Sequence, residues 1–530
     1  MHKPFLLSLA LTVGAAQAQI DTRPVPAQPQ ASTLPANWQH GVFMEIFVRG
    51  YQDSDGDGVG DLKGLTKRLD YLQRLGISGI WLMPITASSD HDHGYATTDY
   101  RDIEPQYGTL ADFDELIREA HKRGIGIVMD YVINHASWQF KPFQQAVADR
   151  NSPWRNWFVW NPDPGPGWDI WGKYPWYDAA TQPWTWKGEL KDMPAPRAGS
   201  PDIFFGTFGP LMPDFNLRNP AVVQYHEDSL RFWLNRGLDG YRLDAVPHLI
   251  ENSAKDWNDQ PESRALTKHF QDLIKSYPGR YVVCEATAEP IAYGNPELCG
   301  GAFAFNLNYE MMKASKGDTA AVQKMADYYR GMSPTMATFL HNHDIFTGQR
   351  VWDQLHGDEA RYRLAAASYL LLPGTPFVYY GEEIGLAGID GKDDAPLRAP
   401  MSWTPSNQGS GGFTTSAQPF RPLSLNRSAH NAESQQRDPG SLFNFYRELI
   451  ALRRHSAALT LGRYEADKVE GAVWSFQRVQ GKERVLVAIN YGDTPATLQL
   501  PAGARALYPK KVASATLPPL SLRVYRLETP

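Results

Sequence analysis

From about residue 40 to 450 the chain alternates short apolar runs with stretches of helical character. The runs span 42–48, 79–83, 125–131, 240–244, 281–285, 301–306, 336–341 and 376–380. Amphipathic stretches such as 110–123 and 221–236 fall between them. Eight strands with intervening helices predict an α/β chain closed into a (β/α)8 TIM barrel, assigned to 40–137 and 214–454. The gap after the third run is too long for a loop. Residues 138–213 hold eight tryptophans from Trp154 to Trp186 and many prolines, and are predicted to form an inserted subdomain walling one side of the barrel mouth. After about residue 455 the text changes to short alternating strands, which predicts a C-terminal antiparallel β-sandwich domain over 455–530.

The 530 residues are 42% hydrophobic, enough for a large core and more than one domain. A formal charge of -6 without a long basic run argues against a nucleic-acid partner. Residues 1–18 read as a secretory signal, with Lys3, an apolar run and Ala16-Gln-Ala18 as cleavage site. Their apolar run is too short to span a bilayer, and no later segment does so. The expectation is an exported periplasmic or extracellular monomer without a membrane anchor. Residues 19–39, rich in Pro, Gln and Ala, are expected to be a flexible lead-in. Cys284 and Cys299 are the only cysteines. An oxidising compartment permits a disulfide between them, while the apolar run around Cys284 equally suits a buried free thiol.

Catalytic groups of a barrel gather at the C-terminal ends of its strands. Here those ends carry Asp130-Tyr-Val-Ile-Asn-His135, Asp244, Glu285 and Asn342-His-Asp344. Buried carboxylates without partners are costly, so packing does not explain acids on several strand ends. Alternation along 240–244 puts Arg242 and Asp244 on one side of their strand, and the guanidinium favours an ionised Asp244.

With these ends in this order, the chain resembles glycoside hydrolase family 13, the α-amylase family. His93-Gly-Tyr95, Thr98-Asp-Tyr100 and Arg398-x-Pro-Met-x-Trp403 extend the resemblance over about 40–405. It implies a retaining mechanism at α-glucosidic bonds, with Asp244 as nucleophile, Glu285 as general acid/base and Asp344 stabilising the transition state. Such a mechanism needs one ionised and one protonated carboxyl, roughly 5 Å apart. Glu285, in an apolar strand, is placed to keep a proton, and His343 or Arg242 would offset the repulsion between Asp344 and Asp244. The resemblance further implies that His93, His135, Arg242 and His343 belong to the substrate-binding set and that Tyr95 stacks beneath a sugar ring. Ala96 departs from the Gly-Tyr-Asp often found in the family, which bears on the wall of the first subsite.

Asp53, Asp55, Asp57 and Asp61 have the spacing of a calcium loop, with Gly58 at its bend. The loop resembles the metal loop of oligo-1,6-glucosidase-like relatives, in which the residue at Val59 contributes its carbonyl. Asn134, Asp214, Glu251 and the carbonyls of His248 and Leu249 resemble a second calcium cluster. Structural Ca²⁺ and no organic cofactor are expected. Met212-Pro-Asp-Phe-Asn216 resembles the group intermediate between oligo-1,6-glucosidases and neopullulanases, whereas 244–251 resembles trehalose synthases. Export favours a polymer degrader, so the expectation is an α-amylase cleaving α-1,4 bonds of starch and maltooligosaccharides. The alternative is an α-glucosidase, transglucosylase or trehalose-synthase-like enzyme acting on short α-glucosides.

Overall fold

The computed structural model describes residues 20–406, 409–510 and 514–528; the expected signal at 1–18 lies outside them. Eight strands form a closed parallel barrel: β1 (Phe43–Ile46), β2 (Gly79–Leu82), β3 (Gly126–Tyr131), β4 (Gly240–Leu243), β5 (Tyr281–Cys284), β6 (Ala302–Phe303), β7 (Met336–Thr338) and β8 (Thr375–Tyr379). Each pairs with its sequence neighbours, and Phe43 opposite Phe377 joins β1 to β8. The first seven are shorter than the apolar runs, and the eighth is shifted one residue earlier than its run. The backbone N–H groups of Asp244 and Glu285 still donate to the carbonyls of Tyr131 and Leu243, at 3.1 and 2.9 Å.

Alternation sorts the side chains into two layers. Tyr241 and Leu243 face outward into the core between barrel and helices. Phe43, Trp81, Val128, Val283, Phe303 and Phe377 face inward as a separate apolar cluster. Rings fill that interior, with Phe43 4.9 Å from Phe377 and 5.1 Å from Tyr281 between centroids. Toward the mouth, inward positions become polar: Glu45 on β1, Asp130 on β3 and Arg242 on β4. Gly240 admits the close approach of β5, since a Cβ there would sit 2.0 Å from the Tyr281 carbonyl oxygen.

The first three crossover helices start on side-chain caps. α1 (Leu62–Leu75) is capped by Asp61, α2 (Leu110–Lys122) by a Thr109–Asp112 capping box, and α3 (Pro220–Asn235) by Asn219 with proline in the first turn. The insertion after β3 contains a two-stranded sheet, Trp176–Asp178 against Ile203–Phe205, and packs largely on aromatic rings. C-terminal strands β9 (Arg463–Glu470), β10 (Val473–Gln480), β11 (Glu483–Asn490), β12 (Arg505–Tyr508) and β13 (Ser521–Leu527) form an antiparallel sheet ordered β9-β10-β11-β13-β12.

Two expectations are corrected. Residues 20–37 do not hang free: the Arg23 carbonyl accepts from Arg101 at 2.8 Å, and the Val25 and Gln28 N–H groups donate to Asp228 and Asn235 at 2.9 and 3.0 Å. Their lack of periodicity reflects an extended strap bonded through its backbone. The second correction concerns the cysteines: Cys284 and Cys299 are joined in a disulfide, so the free-thiol reading fails. The loop from β5 returns Cys299 beside the strand, and the pair is buried. No helix among the described residues is long and apolar enough to cross a membrane.

Candidate active site

Arg242 is the hub of the barrel mouth. Its side chain is 1% exposed and touches three carboxylates at the ends of β3, β4 and β5. Nη1 meets Asp130 at 2.8 Å and makes a short contact to Asp244, while Nη2 lies 2.9 Å from Glu285. The planar fork of arginine suits several carboxylates at once. After Asp244 the backbone turns left-handed at Ala245 (φ 49°). That turn aims the Ala245 N–H at Glu285 Oε2, 3.0 Å away.

Burial pushes Asp244 upward, opposed by Arg242. Glu285 is also raised by burial; Arg242 opposes this and Asp244 reinforces it. Two carboxyls so placed around one guanidinium favour a single shared proton. Asp344 is raised to about 8, first by burial and then by Glu285. Of the two partners expected for it, His343 is adjacent, with Nε2 3.3 Å away, whereas the guanidinium beside it is that of Arg398, with Nη2 at 3.8 Å, not Arg242.

These groups open into a cleft of about 620 Å³ lined by His93, Tyr95, His135, Asp244, Glu285 and Asp344. His135 Nε2 is buried without a protein partner, and burial lowers that imidazole to about 3, leaving it neutral. His93 contacts Asp90 at 3.2 Å and is held low by burial. Tyr95 donates to Asp130 at 2.9 Å, and its ring stacks on His343 at 5.5 Å. His343 and Arg242 are fully buried behind these groups, so they shape the wall from beneath. A larger cavity of about 720 Å³ lies at the other end of the strands, beside Trp38 and Ile77, and no acid lines it.

Some wall residues had no individual signal in the sequence. Trp171, from the insertion, is 54% exposed and stands edge-on to His248 at 5.3 Å; Phe346, after β7, is 48% exposed. Phe208, Lys173, Tyr309 and Asp394 complete that side. The density of tryptophan marked the insertion, but which ring faces the cleft depends on how the insertion folds.

Of the first expected metal set, Asp53, Asp55 and Asp61 bring carboxylate oxygens within 4.8 Å of one another. Asp57 lies outside this group and accepts from the Val59 N–H at 2.7 Å. An all-carboxylate set fits a hard cation. In the second set, Asn134 Nδ2 donates to the His248 carbonyl at 2.7 Å and to Asp214 at 3.2 Å. Burial raises Asp214 to about 7, and burial with Asp214 raises Glu251 to about 8. This oxygen-rich set also fits a hard cation, provided Asn134 turns its amide oxygen inward. Leu249 is buried next to His248.

The α-amylase catalytic-domain model matches residues 45–462. The chain belongs to the α-amylase family of glycoside hydrolases. It is 33% identical over 491 residues to trehalose synthase/amylase TreS of Mycolicibacterium smegmatis, covering 82% of this chain and 79% of that protein. It is 33% identical over 470 residues to alpha-amylase 3 of Dictyoglomus thermophilum, covering 86% and 85%. The solved trehalose-6-phosphate hydrolase (TreA) of Bacillus licheniformis superposes with a TM-score of 0.77 at 25% identity, over 93% of this chain and 100% of that one.

Proposed function

We propose that this glycoside hydrolase acts on short α-glucosides by retention, as an α-glucosidase or glucosyl-transferring enzyme. The carrying observation is the Arg242 hub, which holds Asp130, Asp244 and Glu285 at one point of a cleft that Asp344 also lines. Asp244 attacks the anomeric carbon while Glu285 delivers its proton to the leaving oxygen. Glu285 then takes a proton from the incoming water or sugar hydroxyl as the glycosyl–Asp244 bond breaks. Asp344 offers negative charge to the oxocarbenium-like transition state. His93 and His135 bind sugar hydroxyls, and Tyr95 lies against the ring. Arg242 and His343 act from beneath the wall.

The name of TreA, a trehalose-6-phosphate hydrolase, and the trehalose-synthase half of the name of TreS support short substrates, and Trp171 and Phe346 stand on the wall beside the acids. Endo-acting α-amylase is the second reading, favoured by the likeness to alpha-amylase 3. Asp53, Asp55, Asp61 and the Val59 carbonyl would hold a structural Ca²⁺. Asn134, Asp214, Glu251 and the carbonyls of His248 and Leu249 would hold a second. The disulfide supports the expectation of export.

Product analysis separates the readings. Maltose should yield glucose or a rearranged disaccharide, and a maltoheptaoside blocked at its non-reducing end should stay intact. Cleavage of the blocked chain into mid-sized fragments would overturn the short-substrate reading in favour of the amylase.

A further inference from the structure

Glu45 lies at the end of β1, 2% exposed, with Oε1 2.6 Å from His343 Nδ1. None of the family-like motifs contains it, yet it touches a ring that reaches two residues of the site. On the other side of that ring, His343 Nε2 is 2.8 Å from the Tyr95 hydroxyl and 3.3 Å from Asp344 Oδ2.

Proton counting fixes the direction of these bonds. The Tyr95 hydroxyl has one hydrogen, and Asp130 Oδ2 takes it at 2.9 Å. Asp130 is an acceptor throughout: Arg242 donates to Oδ1 and Trp81 Nε1 to Oδ2 at 3.2 Å. The Tyr95–His343 contact therefore needs its hydrogen on Nε2. A second hydrogen on Nδ1 would create a buried imidazolium facing Arg242 and Arg398, whose charges both oppose it, with His93 adding to them. The ring is then neutral, and Nδ1 can only accept.

We infer that Glu45 is a positioning residue: its carboxyl is protonated, donates to Nδ1 of His343, and fixes that ring with its hydrogen on Nε2 facing Tyr95 and Asp344. The surrounding charges agree. Burial, then Asp344, with Asp130 adding, hold the Glu45 proton in place against Arg242. Arg398 Nε also donates to the His343 carbonyl at 3.3 Å, so the residue is pinned through its backbone as well. In effect Glu45 keeps a hydrogen-bond donor aimed at Tyr95 and at Asp344 without adding charge beneath the cleft.

The kinetic part of the test rests on the proposed glycosidase reaction. Glu45→Gln and Glu45→Ala would be made in the full chain and assayed with 4-nitrophenyl α-glucoside. Gln can donate from its amide, so it should keep kcat within about threefold and leave the pH profile unmoved. Ala should lower kcat by about ten- to a hundredfold with little change in KM. A Gln variant as impaired as Ala would overturn the proposal, since an ionised Glu45 is what that result requires. Full activity in a folded Ala variant would overturn it too.

A second readout is independent of turnover and of any folding defect in Ala. In ¹⁵N-histidine spectra of the unmutated protein, His343 is assigned by its loss in His343→Asn. Its Nδ1 should show the shift of an unprotonated ring nitrogen across neutral pH, and a protonated Nδ1 would overturn the assignment. Failure of the wild-type enzyme to cleave any α-glucoside would count against the proposed function, while the spectra would still decide the state of Glu45.

Discussion

Asp130 and Arg242 face each other across paired strands β3 and β4, joined at 2.8 Å in a position fully closed to solvent. The pair anchors the guanidinium at one end so that its remaining donors reach Asp244 and Glu285. Register between two strands thus sets the position of the proposed nucleophile and acid.

Removing that hub should be severe. Arg242→Leu leaves three buried carboxylates without their common partner, and breaking a buried ion pair costs about 3–5 kcal/mol. Arg242→Lys restores charge but not the fork, so it should recover only part of the loss. Urea unfolding of both variants beside the wild type measures this; a Leu variant of unchanged midpoint would contradict it.

Stability should depend on pH through carboxyls that their surroundings keep protonated. Asp344 is raised to about 8 and Glu383 to about 7, both first by burial, from ordinary values of 3.8 and 4.5. A carboxyl with the higher pKa in the folded state binds its proton better there. Its contribution is full below about pH 4 and is lost as pH rises through 7 and 8. Thermal scans should therefore show Asp344→Asn gaining most over wild type near pH 8, and least near pH 5. An equal difference at both values would refute it.

Chelation tests the acidic loop. If Ca²⁺ binds the native loop alone, a hundredfold excess over its Kd stabilises by about 2.7 kcal/mol. EDTA should lower Tm, calcium should restore it, and Asp53→Ala together with Asp61→Ala should remove the response. No Tm change with EDTA in the wild type would argue against the site.

Trp171→Ala tests the exposed wall. Loss of one aromatic face should raise KM for maltose several-fold to about tenfold. Because the ring is 54% exposed, unfolding stability should shift by about 0.5 kcal/mol or less. An unchanged KM would remove Trp171 from substrate contact.

Much of the barrel could be read from the sequence because each strand is an apolar run closed by an acid or a turn. Asp244, Glu285 and Asp344 stood out as charges where apolar text ends. Glu45 sits within a single run, and its partner His343 is 298 residues away, so only barrel closure brings them together. Arg398 was visible as part of a motif, but its contact with Asp344 depends on a loop path that local pattern does not encode. The strap at 20–37 was misjudged for a related reason. Periodicity reports side-chain burial, and this segment is held mainly by backbone groups. Two cysteines fifteen residues apart satisfied both a bridge and a buried thiol until the loop's return was known.

Cys284 directly precedes Glu285, so the bridge to Cys299 ties the strand carrying the proposed acid to the loop that leaves it. Closing a fifteen-residue loop restrains the unfolded chain by about 3 kcal/mol. A polypeptide folded where thiols stay reduced lacks that tether one residue from its proposed proton donor. The redox setting of biosynthesis is thereby written into the same few atoms as the chemistry, and recombinant material from the two settings should be treated as two distinct preparations.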